Sequence, residues 1–226
     1  EDEVGRLGIA FERMRERLRA RLGELNLLLR VSQGIAGSLN LDRSLPAVLE
    51  GALSATSGGG ARLVILDGAG PLQVFASGPL SAAMAPLDKD VLELTQNEGR
   101  LVLENLSHAR TVLSVTKAAG QVQALIALPL KQEARFLGAL WVGFNQPHPF
   151  TQAEVNFCAT LAGQAALAVS SAHLYEASEG GRQQLQAILA SSPDAVIVTD
   201  SRERVLLINP AAENIFDVTA KSAVGK

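Results

Sequence analysis

The stretch VQALIALPLKQEARFLGALWVGF, residues 122–144, decides the class of fold. Two apolar runs, Val122 to Leu130 and Phe136 to Phe144, flank the polar segment Lys131 to Arg135. Runs of this length bounded by a polar turn predict two buried strands joined as a hairpin. Directly downstream, Pro149-Phe150-Thr151-Gln152-Ala153-Glu154-Val155 changes the period. Thr151 and Glu154 have the spacing of a capping box, and Phe150 and Val155 that of a hydrophobic staple, so a helix starts here. Its apolar pattern predicts that it runs to about Ser178. Along it Val155, Cys158, Ala162, Ala165, Val169 and Ala172 alternate three and four apart, a stripe of small residues that would let a second helix approach closely.

Upstream of the hairpin the same kinds of signal recur. Leu63 to Leu66 and Leu72 to Ala76 read as a first hairpin around a turn at Asp67 to Pro71, and Leu101 to Leu103 as a short strand. Ala82 to Asn97 reads as helical in its second half, and Glu104 to Ala119 as irregular. Leu45, Val48, Leu49, Ala52 and Leu53 form one face of a helix for which Asp42 is the expected N-cap and Ser57-Gly58-Gly59-Gly60 the end. Residues 1–38 carry a heptad seam through Phe11, Met14, Leu18, Leu25 and Leu28, with Arg21 as its polar defect. Beyond Ser178, Gly180-Gly181 predicts an interruption, followed by a helix from Gln183 to Ala190. Ala195 to Thr199 and Val205 to Ile208 read as strands, and Asn209-Pro210 as the cap and first position of a further helix. The class is therefore α+β, a central antiparallel sheet with flanking helices.

The chain has 226 residues, 47% hydrophobic and 19% charged, with a net charge of -3. That is a globular composition, with room for one full domain and a smaller piece. A pI near 5.7 does not point to nucleic acid as a partner. Arg13, Arg15, Arg17, Arg19 and Arg21 are spread round the helix and interleaved with Glu12 and Glu16, the pattern of a solvated face. The single cysteine, Cys158, offers neither an internal disulfide nor a multi-cysteine metal site. No apolar run approaches the roughly 20 residues that span a bilayer. A start at Glu1 without Met and an end at Gly225-Lys226 within a pattern are expected of a piece excised from a longer protein.

Three regions of the chain resemble known families. Glu3 to Leu22, with Glu3-Val4-Gly5-Arg6-Leu7-Gly8-Ile9-Ala10-Phe11-Glu12-Arg13-Met14, is similar to the second helix of a HAMP linker. Residues 23–178 resemble a GAF domain through Ala127 to Leu130, Leu137 to Leu140, and the Phe150 to Glu154 helix start running through Gln164-Ala165-Ala166 to Leu174-Tyr175-Glu176. Residues 179–226 resemble a linker and the start of a truncated PAS domain, through Ser192-Pro193-Asp194-Ala195-Val196-Ile197-Val198-Thr199-Asp200 and Asn209 to Phe216. The resemblance implies a GAF-type sheet between long N- and C-terminal coiled-coil signalling helices.

The order HAMP, GAF, PAS resembles the input half of a bacterial sensor histidine kinase. What this implies is a cytoplasmic relay region of an inner-membrane-anchored protein. It would work as a homodimer, pass its signal to kinase domains further along the parent chain and then to a response regulator, and need no cofactor. The alternative is a GAF small-molecule receptor in a different output enzyme, such as a cyclic-di-GMP synthase. The phosphoacceptor of such kinases is a His followed by an acid, whereas His108, His148 and His173 precede Ala109, Pro149 and Leu174, so phosphotransfer is not expected here. Gly225-Lys226 lacks the first glycine of a Walker loop, and Gly68 and Gly70 lack the third glycine of a dinucleotide fingerprint.

The resemblance also points to a ligand wall. Where many GAF domains have Asp-Val followed by Asp-Pro-Arg, this chain reads Asn105-Leu106-Ser107-His108-Ala109-Arg110, keeping the Arg and replacing both acids and the Pro. Asn105, His108 and Arg110 are the ligand-binding candidates, with the latter two suited to an anion. Trp141 stands with them, either as a stacking platform or as core. The signalling helices are assigned to Phe11, Met14, Leu18, Arg21, Leu25 and Leu28, and to Val155, Cys158, Ala162, Ala165, Val169 and Ala172. Cys158 is followed by Ala159 and has no second thiol, which fits neither a bilin linkage nor methionine sulfoxide reduction.

Overall fold

The computed structural model describes residues 9, 11–12, 14–15, 40–66, 71–106 and 121–225. The chain divides into two compact units, Glu1–Ala172 and His173–Lys226.

In the first unit, helix α1 (Leu41–Thr56) precedes strands β1 (Gly60–Ile65) and β2 (Gln73–Ser77). Helix α2 (Ser81–Met84), a 3-10 turn (Ala85–Leu87) and helix α3 (Asp88–Glu98) then lead to β3 (Leu101–Leu103). Strands β4 (Ala124–Gln132) and β5 (Arg135–Phe144) follow, and then helix α4 (Gln152–Ser191), whose residues from His173 onward belong to the second unit. The five strands form one antiparallel sheet in the order β2-β1-β5-β4-β3. Strands β1 and β5 are covered on both faces, which is why β5 reads as a continuous apolar run rather than an alternating one, and β1 does so apart from Arg62.

The two faces carry two cores. On one, Leu63, Ile65, Ile126, Leu140 and Val142 pack with Leu45, Val48 and Leu49 of α1 and with Val155, Cys158, Leu161, Ala162, Ala165 and Val169 of α4. On the other, Val64, Leu125, Ala127, Ala139 and Trp141 pack with Met84, Leu87, Val91 and Leu92 of the α2–α3 layer. The stripe of small residues on α4, read as the seam for a partner helix, is therefore turned into the first core. Small side chains let α4 lie close to the sheet as readily as to another helix, and spacing alone does not distinguish the two. By length and composition α4 could cross a membrane, yet 56% of its most apolar window is buried within the chain.

Three local readings differ from expectation. The α1 N-cap is Asn40, whose side chain accepts the Asp42 N–H at 2.8 Å; Asp42 sits in the first turn, where its charge favours the helix dipole. Ala82 to Asn97 is helical from its beginning, as α2, the 3-10 turn and α3. And α4 does not stop at Ser178 but continues through Gly180-Gly181 to Ser191. Each glycine costs a helix about 1 kcal/mol relative to Ala. Across the pair, Arg182 donates Nε to Glu179 Oε2 at 2.9 Å and Gln183 donates Nε2 to Glu179 Oε1 at 3.1 Å, three- and four-residue links that bridge the weak point.

In the second unit, β6 (Ile197–Thr199) and β7 (Val205–Ile208) form an antiparallel hairpin. Helices α5 (Pro210–Phe216) and α6 (Ala220–Ala223) follow, with Asn209 capping α5 and Pro210 at its first position as its sequence predicts.

Candidate functional site

A charged network is buried beneath the α2–α3 layer. Glycines prepare its place. Gly60 on β1 and Gly143 on β5 are register partners, and a Cβ added at either would lie 2.7 or 3.0 Å from Met84 Sδ. The two glycines thus form a notch that admits Met84 and brings α2 down onto the sheet. Along β1, Leu63 and Ile65 face the α4 core, so Arg62 must face the other way, toward α3.

Arg62 is 7% exposed and does not stand alone. Its Nε and Nη2 donate to the Oδ1 and Oδ2 of Asp88 at 2.8 and 2.6 Å, and its Nη1 to the Ser81 carbonyl at 2.7 Å. Trp141, the register neighbour of Arg62, donates its Nε1–H to Asp88 Oδ1 at 3.1 Å. The carboxylate sits in the first turn of α3, where the helix dipole also favours it. The planar fork of a guanidinium suits two-point binding of a carboxylate, and low local dielectric makes an unpaired charge here costly. Arg62 and Asp88 were not among the residues singled out from sequence. The available signal was an arginine inside an otherwise apolar strand, which demands a buried carboxylate from elsewhere in the chain.

A second constellation holds the start of α4. The Thr151 N–H and Oγ1 donate to Glu154 Oε2 at 2.8 and 2.7 Å, and the Glu154 N–H donates to Thr151 Oγ1 at 3.2 Å, a complete capping box. His148 Nε2 lies 3.0 Å from Glu154 Oε1, and its ring stacks on Phe144 with centroids 4.3 Å apart and meets Phe150 edge-on at 4.8 Å. Burial pushes the Glu154 carboxyl up, but the Thr151 hydrogen bonds and His148 outweigh it and hold the group below its usual range. The end of β5 and the first turn of α4 are joined as one block.

The ligand-wall candidates fare unevenly. Trp141 is fully buried among Val64, Met84, Leu87 and Val91, with its only donor taken by Asp88. It is core and not an open stacking platform. Asn105 is half-buried, next to buried Leu106. His108 and Arg110 lie outside the described residues, as do Leu18, Arg21, Leu25 and Leu28. Phe11 and Met14 are helical and exposed at 62% and 52%. Val155, Cys158, Ala162, Ala165, Val169 and Ala172 are all buried. Burial, with a smaller contribution from Glu154, pushes the Cys158 thiol up to about 12, leaving it an apolar packing group. Among the described residues no three His, Cys, Asp or Glu side chains come together as a metal site.

Comparison with known proteins agrees with this architecture. A GAF domain family model matches residues 38–170, and a PAS fold model matches residues 183–226. No curated protein matches the chain. Among solved structures, the GAF domain of an Acinetobacter phosphoenolpyruvate-protein phosphotransferase is 22% identical with a TM-score of 0.55, covering 66% of this chain and 94% of that one. A domain from Sinorhizobium meliloti, described as that of a two-component sensor histidine kinase, is 20% identical with a TM-score of 0.51, covering 62% and 97%. The free methionine-R-sulfoxide reductase of Neisseria meningitidis is 12% identical with a TM-score of 0.51, covering 67% and 91%. At these identities the likeness is one of fold.

Proposed function

The chain belongs to the GAF domain family, and from that premise we propose that it is the sensory and signal-relay region of a bacterial two-component sensor histidine kinase. In this reading a HAMP helix in residues 1–22 delivers a conformational signal and the GAF domain couples it to α4. The helix then hands it through the PAS segment to kinase domains further along the parent protein, which phosphorylate a response regulator. The region works on the cytoplasmic side of a protein anchored in the inner membrane.

One observation carries the reading. Helix α4 is a single element of 40 residues, fastened at its start by the Thr151–Glu154 capping box and along its first half by the sheet, and continuous to Ser191. At 1.5 Å per residue such a helix is about 60 Å long, and a rotation imposed at one end is felt at the other. Two packings of a helical seam separated by a few kcal/mol are enough for a modest input to switch them.

A homodimer completes the proposal. With the small-residue stripe committed to the core, the side of α4 open to a second copy is the one carrying Leu167 and Leu174, 56% and 68% exposed, with Leu185 and Ile188 beyond them. Leu167 and Leu174 are one heptad apart. Phe11 and Met14 offer a comparable exposed pair in the N-terminal helix. The GAF domain acts here as a coupler, because the polar groups of Arg62, Asp88 and Trp141 are satisfied by one another and by the Ser81 carbonyl.

Native mass spectrometry of the purified chain, set against its denatured mass, tests the proposal. A dimer without added mass is expected. A monomer carrying a reproducible adduct would make the GAF domain a small-molecule receptor and overturn the relay.

A further inference from the structure

The second unit is thinly packed: among its described residues only Ile208, Asn209 and Ala212 are buried. At the centre of that small core lies a polar side chain, Asn209, 2% exposed. Its Oδ1 accepts the Val196 N–H at 2.8 Å and the Ala212 N–H at 3.0 Å. Its Nδ2 donates to the Asp194 carbonyl at 2.9 Å and to the Leu189 carbonyl at 3.1 Å. An asparagine amide has two donor hydrogens and two acceptor lone pairs on its oxygen, so this one is fully used. Turning it over would set its hydrogens against two N–H groups and its oxygen against two carbonyls. The orientation is therefore fixed by its surroundings.

The four partners come from different elements. Ala212 is in the first turn of α5, Val196 stands just ahead of β6, Asp194 lies in the connection, and Leu189 is in the last turn of α4. The Asn209 backbone adds a fifth tie, its N–H donating to the Val196 carbonyl at 3.0 Å. Capping α5 needs only the oxygen. The two donor hydrogens do something a cap does not require, which is to hold the end of α4 and the connection to the hairpin.

We propose that Asn209 is the latch through which the PAS unit holds the last turn of α4, so that a twist or shift of that helix reaches the β6–β7 hairpin and α5. The latch itself rests on the hydrogen bonds above; what it transmits rests on the relay reading.

The test is hydrogen exchange on the full chain. In the unaltered protein the Asn209 side-chain amide protons should exchange at least tenfold more slowly than those of a free asparagine; exchange at the free rate would overturn the latch. Asn209→Asp keeps acceptors for the α5 cap and for Val196 but has no donor for Leu189 or Asp194. It should leave the Ala212 and Val196 amides protected while residues 188–195 exchange at least tenfold faster, and unchanged exchange there would overturn the latch. Gly181→Pro, which interrupts α4 upstream, should alter exchange over residues 197–208, and should no longer do so when combined with Asn209→Asp. If Gly181→Pro alone has no effect, the relay reading fails while the latch stands; if its effect survives Asn209→Asp undiminished, the latch fails.

Discussion

Arg62 and Asp88 meet as a two-point ion pair, with Nε on Oδ1 at 2.8 Å and Nη2 on Oδ2 at 2.6 Å, between a central strand and the first turn of a helix 26 residues further along the chain. Trp141, the only tryptophan, donates to the same carboxylate. Its fluorescence therefore reports on this pair directly.

Breaking the pair from one side should be worse than removing it. Asp88→Ala leaves the guanidinium buried and uncompensated and should cost about 3–5 kcal/mol, whereas the double change Arg62→Leu with Asp88→Leu should cost less than that single one. Urea unfolding followed by Trp141 fluorescence measures both. An Asp88→Ala protein within about 1 kcal/mol of the parent would contradict the arrangement.

Glycines separate by location. At Gly138, with φ of 150°, an added Cβ would fall 2.1 Å from the Val64 carbonyl oxygen of the neighbouring strand, so Gly138→Ala should destabilise by more than about 1 kcal/mol. At Gly163, on the exposed side of α4, a Cβ meets nothing within 4 Å. Gly163→Ala should therefore stabilise by about 0.5–1 kcal/mol. Thermal unfolding of the two variants should shift in opposite directions, and a shift of the same sign would refute the assignment.

The α4 cap has a pH signature. The folded-state carboxyl of Glu154 is held below its usual range, so its contribution is fully present above the unfolded value, about 4.3, and is lost as pH falls through the lower folded value. The stability gap between the parent and Glu154→Gln should be constant from about pH 6 to 7 and shrink below about pH 4. Thr151→Ala should cost about 1 kcal/mol. Denaturation at a series of pH values checks both, and a gap that widened toward acid would contradict the reading.

Cys158, 1% exposed and with its thiol pushed up to about 12, should resist a thiol reagent at pH 8 for as long as the first unit stays folded, and react at once in denaturant. Labelling of the native chain within minutes would show that α4 leaves the sheet readily.

The parts of the fold legible beforehand were those encoded locally. The Thr151–Glu154 box and the Asn209-Pro210 cap act within a few residues, and both-face burial of β4 and β5 leaves uninterrupted apolar runs. What stayed hidden depended on distant partners. Arg62 announces a need for a carboxylate but not that Asp88 supplies it. The stripe from Val155 to Ala172 has one spacing whether a sheet or a helix lies against it. Gly180-Gly181 signals a break that Glu179, Arg182 and Gln183 bridge, and the Arg182 hydrogen bonds hold Glu179 down to about 2. Of the candidate site, Trp141 was placed on its strand correctly, while its use was decided by Asp88.

The central claim is that rotation of α4 carries the signal, and a phase series tests it most directly. One, two, three or four alanines inserted after Gly181 in the full-length protein rotate everything downstream by about 100° per residue. If the parent is the histidine kinase proposed above, its autophosphorylation should change with one and two residues and return toward the parent rate with four, close to a full turn. A rate unaffected by insertion, or one that declines steadily with length and shows no return, would contradict the account.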